Sequence, residues 1–191
     1  MEYRIFSFLC LIIFYAIYIY KLVSLNNKGI KTNQVGKGKN NRVKLIEKIM
    51  SLSNILIIIV MVISIIIVKP IDNNIIIIIS FLLSILSIIF FFLSTYTMKD
   101  NWRVGIPLEK TNIVINGIYK WSRNPAFVGF DLLYISNTLL YFNMPLLFCS
   151  VFAIVCLHIQ IIEEEKHMLK TFKKEYENYK KHTLRYFGKV K

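Results

Sequence analysis

Two long apolar runs constrain this chain more than any other feature of its sequence. Residues 55–68 and 75–93 contain only apolar side chains and an occasional serine. A helix needs roughly 20 mostly apolar residues to cross the hydrocarbon core of a bilayer. The chain has 191 residues and is 55% hydrophobic, whereas a soluble domain is about 45–50% apolar. The sequence therefore predicts an integral membrane protein.

The hydropathy pattern predicts an all-α membrane protein of about five transmembrane helices. A cleaved signal peptide is the alternative for the first apolar segment. The weakly charged N-terminus and the lack of a small-residue cleavage site favour a retained helix. The predicted spans cover residues 5–24, 50–68, 75–96, 126–142 and 145–162.

The distribution of charge predicts the orientation of these spans. The net charge is +13, which in a soluble protein would indicate a nucleic-acid partner. Here the basic residues concentrate in loops 26–48 and 98–125 and in the tail from Glu163, whereas loops 69–74 and 143–145 are nearly neutral. The positive-inside rule then places the N-terminus outside and the C-terminus inside. We expect basic loops facing the cytoplasm and anionic headgroups, and no nucleic-acid partner.

Composition also suggests a source and a division of the chain. Frequent Ile, Lys and Asn favour a bacterial protein, and hence a bacterial cytoplasmic membrane. Residues 1–96 are interpreted as a three-helix scaffold with the basic loop 26–48, of which residues 29–41 are expected to be flexible. Residues 97–191 would form the second half, with an interfacial loop, a helical hairpin over 126–162 and an amphipathic C-terminal helix. Three cysteines lie in apolar segments without metal-ligand spacing, so we expect no metal site.

A first polar segment, residues 117–129, precedes the fourth predicted span. Pro125 disfavours helix at the residue before it and predicts an extended entry into the span. Arg123 carries a planar, permanently charged group suited to a carboxylate. The alternative is an interfacial arginine among belt aromatics, which composition alone favours. The candidate binding residues here are Gly117, Tyr119, Trp121, Arg123, Asn124 and Pro125.

A second polar segment leaves the fifth predicted span and contains three adjacent acids, at positions 163–165. Carboxylates beside apolar surface can hold a cationic or hydroxyl-rich ligand. The alternative is a solvated helix surface compensated by nearby lysines. The helical spacing of the following apolar residues predicts an amphipathic helix that continues the span: Leu169, Phe172, Tyr176 and Tyr179.

Two ionisable residues, Asp131 and His158, lie within the last two spans, near their predicted cytoplasmic ends. Such groups are costly in hydrocarbon and usually face a bundle interior or a polar cavity. An unremarkable helix-end position is an equal alternative for His158. Asp131 and His158 would both lie at the same membrane depth as the two polar segments.

Together the two segments resemble the isoprenylcysteine carboxyl methyltransferase and phospholipid methyltransferase superfamily, most closely its bacterial isoprenylcysteine carboxyl methyltransferase-like members. That family carries Gly-x-Tyr-x-x-x-Arg-His/Asn-Pro-x-Tyr-x-Gly and, after a helical hairpin, Glu-Glu, Phe-Gly, Tyr-x-x-Tyr and a basic residue. Here the first stretch is 117–129, the acidic pair is Glu164 and Glu165, and the resemblance covers about 97–188. The chain has Asn124 in place of the commoner His, and it departs from the pattern with Phe127 for Tyr, Lys173 for Gly and Gly188 where Pro is frequent.

This resemblance implies an S-adenosylmethionine-dependent methyltransferase of the bilayer, acting on a lipophilic or membrane-delivered carboxylate, thiol or phospholipid amine. Arg123 and the backbone near Gly117 would hold one polar end of the donor, with Arg103 as a second anion contact. Glu164 and Glu165 would take its amino or ribose groups. The donor would be bound by the helices themselves, because the five spans leave no room for a Rossmann domain.

The other implied roles concern the adenosine, the sulfonium and the acceptor. His158 would line the adenosine pocket, and Tyr119 or Trp121 would face the sulfonium through a cation–π contact. An amine acceptor must lose a proton, for which Asp131 or a glutamate is the candidate base. The residues expected to act in catalysis are Arg123, Glu165 and Asp131. The resemblance thus makes residues 97–191 the catalytic half, with the active site facing the cytoplasm.

Two other functions remain as alternatives. A small membrane transport protein would explain the intramembrane Asp131 and His158, but it predicts repeated, broken helices, and the sequence has no visible repeat. A membrane-anchored interaction protein would use its basic tail and would need neither Glu164 nor Glu165.

Overall fold

The computed structural model describes residues 2–109 and 111–190. Four of its helices are long and apolar enough to cross a membrane, and a shorter apolar helix joins them. Within the described residues the β structure is limited to two isolated bridges. The predicted all-α fold of about five helices is confirmed. The helices are α1 (Glu2–Asn27), α2 (Asn41–Ile67), α3 (Asn74–Met98), α4 (Pro125–Leu140) and α5 (Met144–His182).

Helix α4 is short, and the polar segment before it packs against α3. Its 16 residues span about 24 Å at 1.5 Å per residue, less than the roughly 30 Å of a bilayer core. Pro125 occupies the first turn of α4, where its missing N–H costs no hydrogen bond. The hydroxyl of Tyr119 lies 2.7 Å from Ser94 Oγ, one turn before the end of α3. The 117–124 segment therefore lies along the last turn of α3.

Small residues bring α3 and α4 close together. Ser84 Oγ donates to Ser136 Oγ over 3.0 Å. A Cβ atom at Gly129 would lie only 3.0 Å from the carbonyl oxygen of Ser87. Small residues with interhelical hydrogen bonds are a common way of packing helices in membranes. This contact fixes where α4, and the segment preceding it, can lie.

The core of the bundle is formed by apolar side chains from all five helices. Phe14, Ile57, Phe91, Leu133 and Leu157 have at most 1% of their surface exposed. Many other isoleucines and leucines of the apolar helices are about half exposed. A protein whose outer surface contacts lipid has this distribution, because its surface needs no polar cover.

Residues 28–40 are held against another loop, in contrast to the flexible loop predicted for 29–41. The Gln34 amide donates to the carbonyl of Val104 over 2.9 Å, and the Val104 amide donates to Thr32 over 3.0 Å. Helix α2 begins at Asn41, and the side chain of Asn40 caps it through the amide of Val43. The loop thus lies over the charged end of the bundle.

A single buried carboxylate joins these two loops. Glu47 is fully buried, and it accepts hydrogen bonds from the amides of Gly36 (2.6 Å) and Ile106 (2.8 Å). Lys39 Nζ lies 2.5 Å from Glu47 Oε1. In the sequence Glu47 is one acid in a basic loop, and nothing local reveals this role.

Helix α5 has an apolar part up to Ile162 and a charged extension over residues 163–182. The extension is interrupted at Lys173, whose φ of 45° is unusual for a residue with a side chain. Lys173 is the position at which the resembled family has glycine. After α5 the chain forms a tight turn, with hydrogen bonds from Leu184 N to Gly188 O and from Val190 N to His182 O. We call residues 183–190 the C-terminal hairpin.

Candidate active site

A cavity of about 460 Å³ lies at the charged end of the bundle. Pockets of roughly 300–1,000 Å³ are typical of small-molecule sites. Its wall is formed by residues of every helix and of the loops that follow α3. Six of the candidate site residues predicted from the sequence line it: Arg103, Tyr119, Arg123, Asn124, Glu164 and Glu165.

Glu165 is held by two arginines and one amide. Its Oε1 accepts from Arg123 Nη2 (2.9 Å), Arg123 Nε (3.1 Å) and Asn124 Nδ2 (3.1 Å). Its Oε2 accepts from Arg185 Nη2 (3.0 Å) and Nε (3.2 Å). Burial alone would raise the pKa of Glu165, but the guanidiniums of Arg185 and Arg123 bring it below its usual value. Glu165 is therefore a saturated carboxylate with little capacity left for a ligand.

The same residues hold the C-terminal hairpin beside the cavity. Arg123 Nη1 donates to the carbonyl of Thr183 over 2.7 Å, and the Arg123 amide donates to Leu184 over 3.1 Å. Asn124 Nδ2 also donates to the carbonyl of Arg185. The segment before α4, the acidic residues of α5 and the C-terminal hairpin therefore contact one another beside the cavity.

Glu164 differs from its two neighbours in having no cationic partner among the described residues. It lines the cavity, and its Oε1 accepts from Gln160 Nε2 over 2.9 Å. Burial raises the pKa of Glu164 to about 7. Glu163, in contrast, pairs with Lys166 at 2.7 Å and with Arg42 at 3.6 Å. Of the three acids, Glu164 is the one available to a cationic ligand.

Three tyrosines pack together in the wall of the cavity. Tyr179 donates its hydroxyl to the carbonyl of Tyr119 over 2.6 Å. Its ring meets that of Tyr176 edge-on, with centroids 6.0 Å apart. All three line the cavity. Tyr119 is 6% exposed, so its ring presents an aromatic surface away from water.

Arg103 reaches the cavity from the segment after α3. Its Nη1 donates to the carbonyls of Asp100 (2.7 Å) and Trp102 (2.9 Å), and its Nη2 lies 3.3 Å from Glu109. Its Nε is buried and has no partner within the described residues. A buried N–H of a guanidinium is costly to leave unpaired, so this atom is a candidate ligand donor.

The remaining predicted site residues do not line the cavity. Trp121 is 48% exposed and stacks on Phe187. His158 hydrogen-bonds the hydroxyl of Tyr186. Asp131 follows the cavity-lining Phe130, and its Oδ1 is buried without a partner among the described residues. The other two, Gly117 and Pro125, shape the backbone of the segment.

Gly117 has a structural requirement of its own. Its φ is 55°, and a Cβ atom would lie 2.8 Å from Thr97 Oγ1. We expect Gly117→Ala to destabilise the protein by about 1–2 kcal/mol, because left-handed backbone disfavours a side chain and the contact is too close. Thermal unfolding in detergent measures this, with the exposed neighbour Asn116→Ala as control. Equal unfolding temperatures for the two variants would contradict it.

The first helices contribute more to the cavity than their sequences indicate. Tyr15 and Tyr18 of α1 and Asn54 of α2 line it. Tyr134 donates to Asn54 Oδ1 over 2.7 Å, and the hydroxyl of Tyr15 is buried without a partner within the described residues. A scaffold was predicted for these helices. The one available signal was Asn54, an amide in an otherwise apolar run with a few serines.

Fold and site together define a polytopic membrane protein with a polar and aromatic ligand cavity at the charged end of its helices. A profile of the phospholipid methyltransferase family matches residues 75–175. The match covers 101 of 191 residues (175 − 75 + 1), and the chain belongs to this family. The predicted resemblance is confirmed, and the family is one of membrane methyltransferases. No curated protein and no solved structure matches the chain.

Proposed function

We propose that the protein is an S-adenosylmethionine-dependent methyltransferase whose acceptor is a lipophilic or membrane-delivered molecule. The observation that carries this proposal is Glu164, a cavity carboxylate without a cationic partner among the described residues, beside the arginine-saturated Glu165. S-adenosylmethionine supplies a methyl group activated by a sulfonium, and it also carries an ammonium, a carboxylate and ribose hydroxyls. These groups fit the free carboxylate, the unpaired Arg103 Nε and the aromatic wall of the cavity.

At the polar end of the cavity, each lining residue is assigned to one part of the donor. Glu164 would bind the ammonium or the ribose hydroxyls through its free oxygen. Arg103 would donate to the donor's carboxylate through Nε. Tyr119 would supply an aromatic ring for the sulfonium, a cation–π contact worth about 0.5–2 kcal/mol. Arg123 and Asn124, fixed by Glu165, act as positioning residues that hold the cavity wall.

At the apolar end, the cavity reaches the surface of the helices. Ile19 of α1 and Ile55 of α2 both line it, and each is more than half exposed. Their exposed faces contact lipid in a membrane. An acceptor with a hydrocarbon chain therefore enters between α1 and α2, and its reactive group meets Tyr15 and Asn54.

The chemical step requires alignment more than proton transfer. A carboxylate or thiolate acceptor is nucleophilic once ionised, and the cavity would align it with the donor and exclude water. An amine acceptor must first lose a proton. Asp131 stays our candidate base for that case, because it follows the cavity-lining Phe130 and its Oδ1 is buried without a partner among the described residues.

Transfer of labelled methyl groups into lipid tests this function. Protein reconstituted with a lipid extract and methyl-labelled S-adenosylmethionine should release label into a solvent-extractable product. Glu164→Gln should reduce the rate at limiting donor tenfold or more, since a hydrogen bond to a charged group contributes about 1.5–3 kcal/mol. Glu163→Gln, whose partners lie outside the cavity, is the matched control. Equal rates for the two variants would remove Glu164 from the site.

The affinity for the donor should depend on pH through Glu164. Because burial raises its pKa to about 7, the group is mostly protonated below pH 7 and must release a proton to pair with an ammonium. Raising the pH from 5.5 to 7 should therefore tighten binding, by at most about tenfold per unit. Equilibrium binding in detergent at several pH values measures this. Glu163→Gln should keep the increase in donor affinity with pH. If Glu164→Gln kept it as well, the pH dependence would belong to another group.

A further inference from the structure

The outer face of the C-terminal hairpin carries exposed aromatic and apolar side chains that the proposed reaction does not use. Phe187 is 59% exposed and stacks on Trp121, with ring centroids 6.2 Å apart. Leu184 and Val190 are 44% and 45% exposed. A contiguous apolar face of this kind usually marks an interaction surface. The contact of this face with helix α3 indicates that lipid covers it.

Phe187 packs against Phe90 of α3, with centroids 5.7 Å apart. Phe90 precedes the end of α3 at Met98 by eight residues, which is about 12 Å along a helix. Helix α3 is the most hydrophobic of the candidate spans, with a mean hydropathy of 3.1. The hairpin therefore reaches down beside the apolar part of a membrane-crossing helix.

The charged residues of the two segments that form this surface are all basic. Lys189 Nζ lies 4.4 Å from the centre of the Trp121 ring, and Lys120 is exposed one residue before it. Neither the 117–124 segment nor the C-terminal hairpin contains an acid. Aromatic rings flanked by lysines are typical of the membrane–water interface, where anionic lipids attract the cations.

We propose that the C-terminal hairpin lies in the lipid interface. Trp121 and Phe187 would contact the acyl chains near their headgroup end, and Lys120 and Lys189 would contact anionic phospholipid headgroups. The amide of Gly188 donates to the Trp121 carbonyl over 2.7 Å. Arg185 extends from the same hairpin to Glu165. Lipid contact thus fixes a residue that saturates Glu165, whatever reaction the cavity supports.

The two tryptophans of the chain allow a direct test. Trp102 is 4% exposed, whereas Trp121 lies on the proposed surface. A Trp102→Phe variant leaves Trp121 as the single emitter, and Trp121→Phe leaves Trp102 as the control. In vesicles of phosphatidylcholine, lipids brominated near the headgroup end of the acyl chain should quench Trp121 several-fold more than Trp102. Should Trp102→Phe fail to fold, the difference between wild type and Trp121→Phe gives the same quantity.

Anionic lipid should add a second effect. Replacing a third of the phosphatidylcholine by phosphatidylglycerol should lower quenching of Trp121 by aqueous acrylamide, and Lys120→Gln with Lys189→Gln should abolish this decrease. Strong acrylamide quenching of Trp121 without quenching by brominated lipid would overturn the proposal and assign the surface to water or to a partner protein. Acrylamide quenching of Trp121 that does not change when phosphatidylglycerol is added would overturn the part of the proposal that concerns anionic headgroups.

Discussion

Glu165→Ala should have the largest effect of any single substitution at the site. It would leave the buried Arg123 and the partly buried Arg185 without their carboxylate. Removing one partner of a buried ion pair costs about 3–5 kcal/mol, and Arg185, being one-third exposed, adds little to this. We therefore expect a large fall in the unfolding temperature in detergent. Donor binding should be lost as well, since the cavity wall and the C-terminal hairpin are both held by Glu165.

Two variants separate this effect from a general loss of acidic charge. Glu163→Ala removes an acid two positions away whose main partner, Lys166, is more than half exposed, so it should change stability by at most about 1 kcal/mol. Glu165→Gln keeps hydrogen-bonding capacity without charge and should fall between the two. A Glu165→Ala protein as stable as Glu163→Ala would show that the arginines do not depend on Glu165.

Glu47→Ala should have the second largest effect, although this residue is far from the polar segments in the sequence. It would leave Lys39, whose side chain is 6% exposed, without its partner. It would also leave the amides of Gly36 and Ile106 without an acceptor. We expect a loss of about 3–5 kcal/mol in the free energy of unfolding. Because Gly105 and Ile106 line the cavity, donor affinity should fall too.

Asp100→Asn is the matched control for Glu47. Asp100 pairs with Lys28 over 2.8 Å, and both side chains are more than half exposed. Exposed ion pairs contribute little to stability, so this variant should unfold at nearly the wild-type temperature. If Glu47→Ala were equally benign, the two loops would be held together by their backbone hydrogen bonds alone.

The helices were predictable because their signal is long and uniform. Apolar runs of the length of α2 and α3 have few alternatives, and the charge of the loops separates them clearly. The end of α5 was predicted as a helix continuing the span, from the spacing of Leu169, Phe172, Tyr176 and Tyr179. The start of α2 was placed late, since its first turns are polar and carry no hydrophobic signal.

The site could be predicted only in part, because it depends on contacts between distant residues. The sequence placed Arg123 and the acidic pair at one membrane depth, and the structure brings them to one cavity. The sequence could not reveal that Arg185 pairs with Glu165, because that contact depends on the path of the C-terminal hairpin. It also could not show that Trp121 points outward, since a short 3-10 turn has no apolar periodicity that fixes side-chain direction. The catalytic and binding roles of all these residues stay predictions.

The most direct measurement of the central claim is equilibrium binding of labelled S-adenosylmethionine to the purified protein in detergent near neutral pH. We predict saturable binding of one donor per chain, displaced by unlabelled donor. Glu164→Gln should weaken it at least tenfold, corresponding to about 1.4 kcal/mol, and Glu163→Gln should bind like wild type. A correctly folded wild-type protein that binds no donor would contradict the account.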